Sequence, residues 1–129
     1  MPPVLREIVG LADLGLVVRA GAGHLDRPVR WVAVSELEDP TPFLEGGELL
    51  LTTGMRLPEK AAAATAYVKR LVAADVVGLG LGVGLSHSDV PAVLVSAAEK
   101  AGLPLLEVPE GTAFIAVTKA VSRLLAAEE

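Results

Sequence analysis

The chain has 129 residues, 52% of them hydrophobic but only 3% aromatic, with a formal net charge of −5 and no cysteine. That size suits one domain whose core is built from Val, Leu, Ile and Ala, and its interspersed charges exclude a basic stripe for a nucleic-acid backbone. Disulfides, thiolate metal sites and cysteine nucleophiles are excluded as well. The opening Met1-Pro2-Pro3-Val4 lacks the pattern of a signal peptide, and no apolar run approaches the ~18 residues of a membrane span, so a cytoplasmic domain without a membrane partner is expected.

Val4, Leu5, Ile8 and Leu11 fit one face of a short helix that ends at the turn Asp13-Leu14-Gly15. Two strands, 16–21 and 29–36, follow, with the glycine- and proline-bearing stretch "GAGHLDRP" expected to join them as a tight loop. Prolines 40 and 42 limit "DPTPFLEGG" to one helical turn. "ELLLTTG" is a short buried strand. A helix is predicted over 58–74, with a proline in its first turn and Tyr67, Val68, Leu71 and Val72 on one side.

"VVGLGLGVG", 76–84, alternates glycine with Val or Leu, which gives a strand one bare face and one aliphatic face. Something must pack closely on the bare face. A helix from about Asp89 to Ala101 is expected, capped by Ser88 or Asp89 and stopped at Gly102. "LPLLEVP" is a strand, and Thr112 is placed to cap a last helix with the stripe Ile115, Val121, Leu124 and Leu125. That helix carries no glycine stop, the pattern of a helix that runs on into a linker or another domain.

From Glu48 onward strands and helices alternate, which predicts a single compact α/β domain. Its mostly parallel sheet of about five strands has helices on both faces. Ligands of such sheets bind outside the carboxyl ends of the strands. Four loops gather there, 35–39, 52–55, 84–88 and 109–112, and they bring Glu36, Asp39, Thr53, His87 and Glu110. Thr52-Thr53-Gly54 has two readings. Hydroxyl and amides can face a ligand, with Gly54 allowing close approach, or glycine can simply turn the chain at a strand end.

Other motifs point away from catalysis. The glycines at 78, 80, 82 and 84 lack the G-x-G-x-x-G spacing, and no helix starts on the last of them, so helix-on-sheet packing explains them better than a dinucleotide does. His24 and His87 have no metal-ligand spacing. No serine lies in a G-x-S-x-G turn. Glu36, Glu38 and Asp39 read as a solvated acidic loop more readily than a cation site. Trp31 falls within a strand, as a core or interface residue. No catalytic residue, metal or cofactor is expected.

The runs "AGAGHLDRPVRW" (20–31), "GGELLLTTG" (46–54) and "GLPLLEVP" (102–109) give the chain, over almost its whole length, a resemblance to the N-terminal domain of purine catabolism regulator-like (PucR-type) bacterial transcription factors. The resemblance implies a sensory or regulatory module, 1–129, of a longer regulator whose carboxyl-terminal helix-turn-helix contacts DNA. This segment would then touch no nucleic acid itself. It implies a role and no particular effector. On the residues, an effector would meet Glu36, Thr53, Gly54, Met55 and His87, in a domain expected to act as a homodimer. The alternative is a dimerisation or partner-docking module with no metabolite, and an enzyme lacks the residues it would need.

Overall fold

Leu49, Leu50 and Leu51 lie at the centre of the molecule, wholly buried from both sides. In the computed structural model, which describes residues 2–127, they belong to a five-stranded sheet. Along the chain come α1 (Leu5–Val9), β1 (Val17–Ala20), β2 (Trp31–Val34), β3 (Glu48–Thr52) and α2 (Ala61–Ala73). β4 (Gly78–Gly82), α3 (Ala92–Ala101), β5 (Leu105–Val108) and α4 (Phe114–Ala126) follow. Single 3₁₀ turns occupy Ala12–Leu14, Ala22–His24 and Thr41–Phe43. The last confirms that the two prolines permit no more than one turn.

The strand order is β1-β5-β4-β3-β2, with β2 to β5 parallel and β1 antiparallel to β5. The sheet is therefore mixed and mostly parallel. Each step from β2 to β5 moves one place in the same direction, so right-handed crossovers put their covering segments on one face. There α2 and α3 cover Leu50, Leu79, Leu81 and Leu105. On the other face α1 and α4 cover Leu49, Leu51, Leu106 and Val108.

The bare face of β4 turns toward α1 and α4. A Cβ on Gly78 would stand 2.9 Å from Leu5 Cδ2, one on Gly80 2.6 Å from Leu51 Cδ2, and one on Gly82 2.8 Å from the Phe114 ring. Close packing of helices and cross-strand leucines thus explains the alternating glycines. Gly102, at φ +72°, ends α3 in the left-handed conformation expected of it.

Three local expectations are corrected. The strands at 17–20 and 31–34 are not neighbours; they form the two opposite edges of the sheet, and the segment between them spans its width. Neither Ser88 nor Asp89 caps α3, which starts after Pro91; the Asp89 carboxylate instead accepts from Val90 N–H and from Arg19. Nor does Thr112 cap α4. Its hydroxyl donates to Leu14 O at 2.7 Å, fastening the entrance of the helix to the 3₁₀ turn at Ala12–Leu14. On α4 itself, Val117 and Val121 are buried while Ile115 is exposed.

Candidate functional site

At the carboxyl ends of β2 and β3 the loop carboxylate of Glu36 reaches across to the Thr-Thr-Gly turn. Thr52 Oγ1 donates to Glu36 Oε1 at 2.8 Å, Thr53 N–H to Oε2 at 2.7 Å, and Met55 N–H to Oε1 at 3.3 Å. Thr52 Oγ1 in turn accepts from Gly54 N–H at 3.1 Å. The turn therefore holds a group from its own chain. Burial works against the charge on Glu36, but the Thr53 amide, the Thr52 and Thr53 hydroxyls and the Met55 amide together bring its carboxyl below the ordinary glutamate range.

Gly54 is buried at φ +79°, and His87 Nε2 lies 2.8 Å from its carbonyl oxygen. A Cβ at this position would stand 2.6 Å from His87 Cδ2 and 2.8 Å from Leu81 Cδ1. The close approach that glycine permits here is made by His87. Beneath the turn, Tyr67 of α2 is buried, and its phenol is pushed up to about 12 by burial first and by the Glu36 charge second, against the opposing pull of Arg70. The Arg70 guanidinium carbon stands 6.0 Å from the centroid of that ring, and Nη2 donates to Glu38 O at 3.2 Å. This ties α2 to the loop that carries Glu36.

The five residues expected at the site come together, though they do not share one cavity. Glu36, Thr53 and Met55 meet through the carboxylate, and Gly54 and His87 through the carbonyl. Thr53 also borders a crevice of about 290 Å³ at the carboxyl ends of β3, β4 and β5, with Val83, Leu85, Glu110 and Phe114 among its other walls. Met55 faces instead a separate groove of about 540 Å³ beside Arg56 and Arg70. Glu110 belongs to the expected loop cluster. Phe114 and Leu85 escaped notice because an apolar residue lining a cleft carries the same pattern as one lining a core.

A second carboxylate clasp lies at the opposite end of β3. Glu48, 2% exposed, accepts from Glu45 N–H at 2.7 Å and Gly46 N–H at 2.9 Å, and Trp31 Nε1 lies 3.4 Å from it. It stabilises the left-handed glycine pair at 46 and 47. Among the described residues no cluster of three or more metal-ligating side chains occurs, and no helix is long and apolar enough to cross a membrane.

Comparison with known proteins shows what the chain is similar to. The chain is 33% identical over 121 residues to the transcriptional activator PmfR of Paenarthrobacter nicotinovorans, covering 92% of this chain and 25% of that protein. It is 26% identical over 91 residues to the purine catabolism regulatory protein of Bacillus subtilis, covering 70% of this chain and 17% of that one. The chain thus spans a quarter or less of either relative. In fold it is similar to the regulatory region of a Clostridium perfringens pyrophosphatase, comprising CBS and DRTGG domains and solved with the activator diadenosine tetraphosphate. The TM-score is 0.60 at 14% identity, over 94% of this chain and 46% of that one. Residues 7–125 match the purine catabolism regulatory protein-like family, PucR, and the chain belongs to that family.

Proposed function

We propose that this chain is the sensory domain of a cytoplasmic bacterial transcription regulator of purine or other nitrogen catabolism, and that a small-molecule effector binds at the carboxyl ends of β3 to β5. DNA contact belongs, in this reading, to a helix-turn-helix elsewhere in the longer protein, and the regulator works as a homodimer without enzymatic activity of its own. The observation that carries the effector is the crevice between Thr53 and Glu110. It lies where parallel α/β sheets bind ligands, beside a turn held in shape by Glu36 and His87. That one relative is a transcriptional activator and the other a purine catabolism regulatory protein supports the regulatory role.

Thr53 lines the crevice directly, Gly54 and Met55 form the turn behind it, and Glu36 and His87 hold that turn. An effector regulates only if it binds two arrangements of the domain with different free energies. The route for that difference is α4, whose first residue, Phe114, is a wall of the crevice.

A thermal-shift screen of the 129-residue chain against purine catabolic intermediates, amino acids and other nitrogen metabolites tests the proposal. A ligand at a hundredfold excess over its Kd stabilises by about 2.7 kcal/mol, a rise of several degrees in Tm. Thr53→Val is expected to weaken that ligand about tenfold, the loss of one or two hydrogen bonds, while lowering the unliganded Tm only slightly, since the amide at 53 still donates to Glu36. A saturable shift that Thr53→Val leaves intact moves the site elsewhere. No shift across the panel favours the alternative, a dimerisation module without a metabolite, for which the open edge of β2 speaks.

A further inference from the structure

We propose that the outer edge of β2 is a self-association surface, on which a second copy of this chain pairs its own β2 antiparallel and joins two five-stranded sheets into one. The inference rests on the homodimer of the preceding reading but on no effector, so the ligand screen and the association test below fail independently.

The two sheet edges are built differently. β1 is blunted in the ways that protect an edge from pairing: its register with β5 shifts between Val18 and Ala20, and Arg19 lies on it, bound to Asp89 at 2.9 Å and Glu107 at 2.7 Å. β2 has neither device. It reads Trp-Val-Ala-Val, with no charge and no proline, and keeps an unbroken register with β3 from Trp31 to Val34. Trp31 and Val34 are about half exposed, at 48% and 56%.

Direction follows from the ladder. Ser35 N–H donates to Leu51 O, toward β3. Counting back by twos, Ala33 and Trp31 also face β3, which turns the amides and carbonyls of Val32 and Val34 outward. A second β2 lying antiparallel, with its Ala33 opposite Ala33, sets Val32 of each copy against Val34 of the other, and each such pair exchanges two hydrogen bonds.

Charge selects the antiparallel arrangement. Arg27 and Arg30 precede the strand, and Glu36, Glu38 and Asp39 follow it. An antiparallel pairing brings the basic stretch before the strand of one copy toward the acidic stretch after the strand of the other, whereas a parallel pairing would bring like charges together. Self-pairing thus satisfies the open backbone groups and covers the exposed apolar side chains, with opposite charges brought to each end of the strand. A second copy is the occupant these features fit.

Sedimentation of the 129-residue chain over a concentration series tests this. A reversible dimer is expected to be populated by about 100 μM, where a micromolar interface fills. Val34→Lys, at an exposed position, is expected to weaken it at least tenfold, and Val17→Lys on the blunted edge to leave it unchanged. The chain has no cysteine of its own. In the proposed register the two Ala33 residues form a non-hydrogen-bonded pair with Cα atoms about 4.5 Å apart, within disulfide reach. Ala33→Cys should therefore cross-link to itself on mild oxidation, and Val17→Cys should not. A chain that remains monomeric, a dimer indifferent to Val34→Lys, or a dimer in which Ala33→Cys fails to cross-link each overturns the proposal.

Discussion

Glu36 and Glu48 show how single carboxylates organise the two ends of β3. Each accepts two backbone amides from an adjoining loop, and such charge-assisted bonds are among the stronger ones available to a loop. Glu36 has its folded pKa below its unfolded value, so its contribution to stability is fully present above the ordinary glutamate value of about 4.3 and is lost as pH falls through the folded value. Glu36→Gln keeps the size and removes the charge. At neutral pH it is expected to cost about 1 kcal/mol, since solvent still reaches and screens this partly buried group. That difference should shrink as the pH is lowered from 6 to 3, because the protonated wild-type side chain then resembles the amide. Paired urea titrations at several pH values measure it, and a difference that grows toward acid would contradict the clasp. The role of Glu36 beside Thr-Thr-Gly was only half legible in the sequence. Both groups could be assigned to the same end of the sheet, but that the carboxylate from one loop fills the amides of the other depends on a distance between segments 16 residues apart in the chain.

At the scale of an element, β4 joins the core to the crevice. Its leucines enter one face of the fold, and its glycines leave room for α1, Leu51 and Phe114 on the other. Gly82→Ala would place a methyl group 2.8 Å from the Phe114 ring. Overpacking of this kind costs about 1–3 kcal/mol. Because Phe114 begins α4 and walls the crevice, the same substitution should also change affinity for the proposed effector, whereas Gly23→Ala, with nothing within 4 Å, should leave stability nearly unchanged. Calorimetry on the two variants separates overpacking from a general intolerance of glycine substitution. The strands and α2 could be read from periodicity, since Tyr67, Val68 and Leu71 do recur on the buried side, although Val72, expected with them, is exposed. The caps could not. Thr112 and Asp89 had the right residue type in the right place, yet both side chains are drawn to partners far away in sequence, Leu14 O and Arg19.

The whole molecule is a sheet between two apolar layers, each of which needs its own helices. The smaller cover on the α4 face is α1, five residues whose Leu5 and Ile8 are completely buried. A helix that short has little stability of its own and is held by packing. Its N-terminus is fastened through Leu5 N–H to Arg27 O and Arg6 N–H to Leu25 O, so it also secures the segment that crosses from β1 to β2. Leu5→Ala is expected to lower stability by about 2–5 kcal/mol in urea unfolding, as for other leucines truncated in a core. A loss under 1 kcal/mol would show α1 to be dispensable to the fold.

Composition and periodicity alone determined that this chain forms one aliphatic α/β domain. They identified the strands buried on both faces, the glycine face that calls for close packing, and the end of the sheet where the loops gather, because each follows from local geometry and the pattern of burial along consecutive residues. The family resemblance was legible in the same way, in runs of neighbouring residues. Only the tertiary structure decided that β1 and β2 lie at opposite edges, that β1 runs antiparallel beside β5, and that Glu36 accepts from the Thr52 hydroxyl and the Thr53 and Met55 amides. Strand order, edge identity and the partner of a carboxylate are relations between distant segments. They are set by which surfaces bury each other best, and no stretch of sequence contains that choice by itself.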